Sequence, residues 1–278
     1  MATSTMTTLS MTAAPMTFTA TPYRISTITV TGSIGTNVTL DNLYQNISKN
    51  IDNDITYLEF GKNKHDLQST GINEKLSKKK KAVKPKSRFD NQLTIVFQMN
   101  DNKYNTKLFK NGNVQMTGVK SIEKGYNAID HLITILHKYD DGNIFEKTEN
   151  LCNNNYSIRL INSDFKINYE IRLDHLYNLI TKKYNIICSY EPCIYPGAKI
   201  EYYYPNNGYC KCESFCNGKT AICKKITIAV FQSGCVIITG ANKQEHIDVA
   251  YGFICGILKD NIENVYRKKF VIPSSVQN

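Results

Sequence analysis

Cys210, Cys212, Cys216 and Cys223 are spaced Cys-x-Cys-x3-Cys-x6-Cys. Four thiolates suffice for a tetrahedral zinc ion, and a metal would give a short loop the rigidity that it has no core to supply. The spacing is not the paired Cys-x2-Cys of common zinc modules, so a structural zinc and reduced, unligated thiols both stand as readings. Gly218-Lys219-Thr220 imitates the end of a phosphate-binding loop, but Glu213 occupies the place of its first glycine and no strand leads into it. The histidines, at 65, 131, 137, 175 and 246, form no His-Glu-x-x-His pair, and no Gly-x-Ser-x-Gly elbow occurs. A cysteine nucleophile beside a histidine close only in space stays open, with nothing to favour it. The chemistry-bearing residues therefore point away from an enzyme. No cofactor is required, and zinc is the one candidate metal.

A second kind of patterning is stronger. Phe109-Lys-Asn-Gly112-Asn-Val114-Gln-Met-Thr117-Gly118 and Phe231-Gln-Ser-Gly234-Cys-Val236-Ile-Ile-Thr239-Gly240 both read Phe-x-x-Gly-x-Val-x-x-Thr-Gly. Each predicts a strand, a tight two-residue turn at Asn111-Gly112 or Ser233-Gly234, and a second strand, because glycine supplies the positive φ of such turns. Helical segments are duplicated too. Leu40-Asp41-x-Leu43-Tyr44-x-x-Ile47 matches Leu173-Asp174-x-Leu176-Tyr177-x-x-Ile180, while Ala128, Ile135 and Leu136 match Ala250, Ile257 and Leu258. Three elements in the same order indicate an internal repeat.

Composition bounds the rest. A chain of 278 residues, 41% hydrophobic and 21% charged, has enough apolar material for a sizeable core. A formal charge of +10 favours polyanionic partners, nucleic acid among them. An odd count of nine cysteines and the lack of an amino-terminal signal pattern point to a reducing, intracellular compartment. No apolar run approaches the roughly 20 residues of a membrane helix, so no membrane partner is expected.

In chain order, residues 1–21 predict a disordered tail of Met, Thr, Ser and Ala. Residues 22–140 form the first repeat: a strand from Ile25 through Thr31, a helix capped by Thr39, then strands over Gln92–Met99 and Tyr104–Lys110. A basic insertion, 61–90, interrupts it with Lys78 to Lys81, Lys84, Lys86 and Arg88, and reads as an exposed loop. A solvated insertion, phosphate contact and nuclear targeting are its three readings. Residues 141–155 connect the halves. Residues 156–268 form the second repeat, with a Cys-rich insertion at 206–224, and 269–278 a terminal tail.

Ser189-Tyr190-Glu191-Pro192-x-x-Tyr195-Pro196-Gly197, followed by Phe231-x-x-Gly234-x-Val236-x-x-Thr239-Gly240, resembles the carboxy-terminal repeat of the TATA-box-binding protein family. Gln92 to Lys120 is similar to strands of that family's first repeat. The resemblance spans roughly residues 22 to 266 and is greatest to the divergent versions carried by large DNA viruses. It implies an α+β saddle: two pseudo-symmetric repeats, one curved antiparallel sheet, and helices on the convex face. It implies a general transcription initiation factor that binds and bends promoter DNA through the minor groove with aromatic wedges. Implied partners are a transcription factor IIB-like protein and the RNA polymerase machinery, in the nucleus or a viral replication compartment, with packaging in the virion a further expectation.

Residue by residue, Phe109 and Phe231 match the family's wedge positions, and Tyr195 matches the partner phenylalanine of the second repeat. Phe89 is the nearest aromatic to the corresponding first-repeat position. The DNA face takes Thr117, Thr239, Ile237, Gln115, Lys107 and Ala229, and Tyr190, Glu191 and Pro192 match the surface that receives transcription factor IIB. Gln115 and Lys107 replace apolar family residues, Cys235 replaces a family lysine and Asn113 that lysine's first-repeat equivalent, and Thr27 and Leu160 stand where the family's asparagines would, with Asn162 two positions away. Bending can survive these departures while TATA preference changes. The alternative is a protein-interaction scaffold, or a nucleic-acid accessory protein, that has lost TATA-specific binding.

Overall fold

Ile28 and Val30 alternate with Thr27, Thr29 and Thr31, and this period of two gives β1 (Arg24–Ser33) one fully buried face and one half-exposed face. A computed structural model of the chain describes residues 17–61, 63–66, 91–205 and 223–267. After β1 come α1 (Leu40–Lys49), β2 (Ile55–Phe60), β3 (Asn63–Asp66), β4 (Gln92–Met99), β5 (Asn102–Phe109), β6 (Asn113–Val119) and α2 (Ile122–His137). The second half runs β7 (Asn154–Lys166), α3 (Leu173–Asn178) prolonged by a π-turn to Lys183, β8 (Cys188–Ser189), β9 (Gly197–Pro205), β10 (Cys223–Phe231), β11 (Cys235–Ala241), α4 (Gln244–Asp260) and α5 (Ile262–Val265).

All the strands join one curved antiparallel sheet in the order β3-β2-β4-β5-β6-β1-β7-β11-β10-β9-β8. Read outward from β1 and β7, the order is the same in both halves: hairpin β6-β5 matches β11-β10, then β4 matches β9. The seam itself is an antiparallel pairing in which Thr27 faces Asn162, Ile28 faces Ile161 and Thr29 faces Leu160. The helices cover one face. Leu40, Leu43, Tyr44 and Ile47 of α1, Ala128, Leu132, Ile135 and Leu136 of α2, and Ala250, Ile254, Ile257 and Leu258 of α4 are all buried. Against them lie Leu93, Ile95, Leu108, Val114 and Met116 in one half, and Ile200, Ile226, Ile228, Val236 and Ile238 in the other. Each such side chain contributes about 1.5–3 kcal/mol on leaving water, so the helical face holds the sheet together and leaves the opposite face open.

Four expectations change. The hairpin loops contain three residues rather than two: Gly112 N donates to Phe109 O at 2.9 Å, and Gly234 N to Phe231 O at 3.0 Å, closing a turn that ends on a positive-φ glycine. Both glycines are also clamped from outside, since their carbonyls accept from Ile34 N and Ile167 N at 2.9 Å. Thr39 occupies the position before α1, yet its hydroxyl makes no cap bond; its amide is drawn to the Ile144 carbonyl of the connector at 2.8 Å. Within 61–90, Asn63–Asp66 forms strand β3 beside β2, and the remainder of that insertion, with its lysines, lies outside the described residues.

The fourth concerns the amino terminus. Residues 17–21, assigned above to a disordered tail, are strapped along the second repeat: Thr21 N donates to Lys166 O at 2.8 Å and Asn168 N to Thr19 O at 3.1 Å. Phe18 packs edge-on to Tyr169, and the hydroxyl of Tyr251 donates to Thr21 O. The connector is equally well held. Ile144 and Phe145 are buried, and Cys152 N donates to Ile34 O.

Candidate nucleic-acid interface

The open face is organised as rows of cross-strand partners, because residues directly opposite in an antiparallel pair point to the same side. In the first repeat one row runs Glu59, Thr94, Lys107, Gln115, Thr31. Its counterpart in the second repeat runs Ser189, Lys199, Ala229, Ile237, Asp164. The next row, two residues further along the strands from the hairpin turns, holds Asn105 and Thr117 in one half and Thr227 and Thr239 in the other. Thus Lys107, Gln115, Thr117, Ala229, Ile237 and Thr239 share one face.

The second glycine of each duplicated motif explains how these rows are bent. Gly118 and Gly240 have φ of 88° and 95°, and a β-carbon on Gly118 would lie 2.5 Å from Lys103 O. The register of β6 against β1, and of β11 against β7, shifts beside them. They are bulge glycines, which add local twist to a strand. The repeated Thr-Gly carries that signal in the sequence.

At the far end of the second repeat, Tyr195 and Phe231 stand with ring centroids 5.7 Å apart. They flank Gly197, whose cross-strand partner is Phe231. The Lys199 ammonium lies 3.9 Å from the centre of the Tyr195 ring, a cation–π contact. In the first repeat Phe109 opposes Gln92 and borders a cavity of about 670 Å³ that also takes in Asn91, Thr31, Gln115 and Arg159. Phe89 lies outside the described residues, so only one aromatic of the first pair is placed.

The centre carries features the sequence did not reveal. Thr239 Oγ1 donates to Asn162 Oδ1, which leaves the Asn162 NH2 group as a donor beside Thr27. Arg159 Nε donates to Thr31 Oγ1 at 2.9 Å. Thr27 and Leu160, matched above to the family's asparagine positions, are not cross-strand partners; they sit diagonally about the Ile28–Ile161 pair. Two carboxylates on this face, Asp164 and Glu201, are paired with cations. Arg24 Nε meets Asp164 Oδ2 at 2.8 Å, and the Lys225 ammonium, hydrogen-bonded to Glu201, holds that carboxyl below its ordinary range. Each pair presents less net charge to a polyanion than a bare carboxylate would.

Glu191 and Pro192 are exposed in a turn in which the Glu191 carbonyl accepts from Ile194 N and Tyr195 N, both at 2.9 Å, while Tyr190 packs partly against the core. Cys210, Cys212 and Cys216 lie outside the described residues, and Cys223 opens β10 opposite Pro205. Among the described residues no group of three His, Cys, Asp or Glu could hold a metal, and no helix is long and apolar enough to cross a membrane.

A duplicated α+β unit fused through one sheet, with a floor of hydroxyl, amide and aliphatic side chains that no helix covers among the described residues, defines an internally symmetric saddle protein. Residues 69–139 and 155–261 match the family model of "Transcription factor TFIID (or TATA-binding protein, TBP)". The chain is 32% identical over 261 residues to the "TATA-box-binding protein-like" protein of Acanthamoeba polyphaga mimivirus, covering 90% of this chain and 67% of that one. It is 24% identical over 173 residues to "TATA-box-binding protein 2" of Entamoeba histolytica, covering 61% and 67%. Methanococcus jannaschii TBP overlays 86% of this chain and 99% of its own at a TM-score of 0.49 and 19% identity, which adds nothing to the strand order above. The chain belongs to the TATA-binding protein family, whose members are non-enzymatic DNA-binding factors.

Proposed function

We propose that this chain is a transcription initiation factor that seats its open sheet face in the minor groove of promoter DNA and bends the duplex. The observation that carries the reading is the Tyr195–Phe231 pair, two aromatic rings at the edge of a groove-facing floor, with Phe109, the last residue of β5, at the pseudo-symmetric end. Aromatic wedges of this kind enter between base steps, and the unstacking cost of a few kcal/mol per step is offset by the extra surface that a kinked duplex wraps. Lys199, Lys103, Lys110 and Lys166, near the strand ends, supply cations for phosphates. The exposed Glu191–Pro192 turn is the surface offered to a transcription factor IIB-like partner, which in turn recruits polymerase. The place of action is inside the cell, in the nucleus or a viral replication compartment.

Gel-shift and bending assays on A·T-rich and G·C-rich duplexes across a salt series test this. Phe109→Ala with Phe231→Ala abolishes bending and leaves a weaker affinity that falls with salt, because lysine and arginine contacts remain. The polar row through Lys107 and Gln115 favours one competing reading, a scaffold without duplex preference. Wild-type protein that neither bends nor prefers any duplex would decide for it.

A further inference from the structure

The two halves present chemically different floors at equivalent positions. Lys107 and Ala229 are equivalent through the duplicated hairpin, as are Gln115 and Ile237. Ala229 is 4% exposed and Ile237 half-buried, so the middle of the second floor, between Lys199 and Asp164, is an apolar pair. The first floor carries an ammonium, an amide and hydroxyls on consecutive strands. Neither the Lys107 nor the Gln115 side chain makes a hydrogen bond or ion pair among the described residues, whereas Thr31 accepts from Arg159 and so aims its own O–H elsewhere.

The minor groove separates base pairs by one group, the guanine N2 amino donor, which A·T pairs lack. Pressed against Ala229 and Ile237 that donor is buried without an acceptor, at a cost of about 1–3 kcal/mol. Over the first floor the Gln115 amide oxygen can accept it, and the Lys107 ammonium can donate to the purine N3 or pyrimidine O2 of either pair. We infer that the halves read their half-sites by different rules. The second repeat is confined to A·T pairs beneath Ala229 and Ile237, and the first admits a G·C pair beneath Lys107 and Gln115. This rests on the minor-groove reading above. A half-site containing G·C would then fix which way round the protein sits, because only one repeat tolerates it.

The test is fluorescence anisotropy on four duplexes: A·T throughout, one G·C pair in the left half-site, one in the right, and one in both. A fluorophore on one DNA end and one on the protein's amino terminus report orientation. Either single substitution should cost less than about 3-fold, since the protein reverses to place its first repeat over it, and the transfer signal should switch sides between the two. The double substitution should cost roughly 5- to 150-fold, the factor equivalent to one unsatisfied donor. Lys107→Ala with Gln115→Ile, which copies the second floor, should make a single substitution as costly as the double one is for wild type. Equal, log-additive losses in wild type, or no change of orientation, overturn the inference while leaving bending intact. Failure to bind any of the duplexes overturns the minor-groove reading and this inference together. The wild-type panel decides the matter even if the double variant does not fold.

Discussion

Tyr195 and Phe231 lean on each other across a glycine: a β-carbon on Gly197 would meet the Cε1 atoms of both rings at 3.0 Å. The space between the rings therefore belongs to Gly197, and larger residues there must push the pair apart. Gly197→Val should abolish DNA bending while lowering the melting temperature by only a few degrees, since the rings can move outward into solvent. Bending by fluorescence transfer between labelled duplex ends, alongside thermal melting, checks both halves of the statement.

The hairpin glycines predict the opposite balance. Gly112 and Gly234 have positive φ, and β-carbons there would fall 2.1 Å from Thr36 O and 2.5 Å from Tyr169 O. Left-handed backbone alone costs about 1–2 kcal/mol for alanine, and the backbone clash adds to it. Gly112→Ala or Gly234→Ala should each lower the melting temperature by roughly 5–10 °C, on the scaling of about 2–4 °C per kcal/mol for chains of this size. Unchanged melting would show that the loops relax freely.

His246 provides a pH signature. It is 2% exposed, its ring lies 4.6 Å from that of Tyr204, its Nδ1 has no partner, and burial, then Lys243 and Lys224, lower its pKa from 6.5, opposed weakly by Glu245. The unfolded chain therefore takes up this proton first as pH falls, so stability declines as pH drops below about 6.5. His246→Phe should flatten that slope in denaturant titrations. Asp52 acts in a separate window: the hydrogen bond from Lys138 lowers its pKa from 3.8, so its contribution is present above that value and lost as pH falls below it.

Removing the strap should loosen the second repeat selectively. Truncation through Pro22 deletes the Thr21–Lys166 and Thr19–Asn168 bonds and the Phe18 contact with Tyr169. Amide exchange should rise in β7 beyond Asp164 and in the β10–β11 loop, while α2 and β4 to β6 keep their protection. A uniform rise would mean that the strap supports the whole sheet.

Much of this architecture was legible because it repeats. Phe109 and Phe231 with their turn glycines announced two hairpins, and Ala128, Ile135 and Leu136 against Ala250, Ile257 and Leu258 announced two helix faces. Local spacing encodes such features, since a helix buries every third or fourth residue whatever lies beyond it. What stayed hidden depends on distant partners. Thr39 looks like a side-chain cap, yet its long-range bond runs from its amide to the connector, and Thr17 to Thr21 look unstructured until β7 offers them a ladder. The bond from Thr239 to Asn162 joins residues of β11 and β7, and Arg159 reaches a threonine on β1. No periodicity foretells either.

The seam of β1 against β7 has one more implication. Two separate copies of a single half would pair in the same way, as an isologous homodimer whose strength rises with protein concentration. The segment through Ile144 and Phe145 turns that encounter into an intramolecular one, so the halves meet at a fixed, high effective concentration. A homodimer must also alter both of its floors with every substitution. Joined in one chain, the floors are free to differ, and Lys107 opposite Ala229 shows that freedom in use.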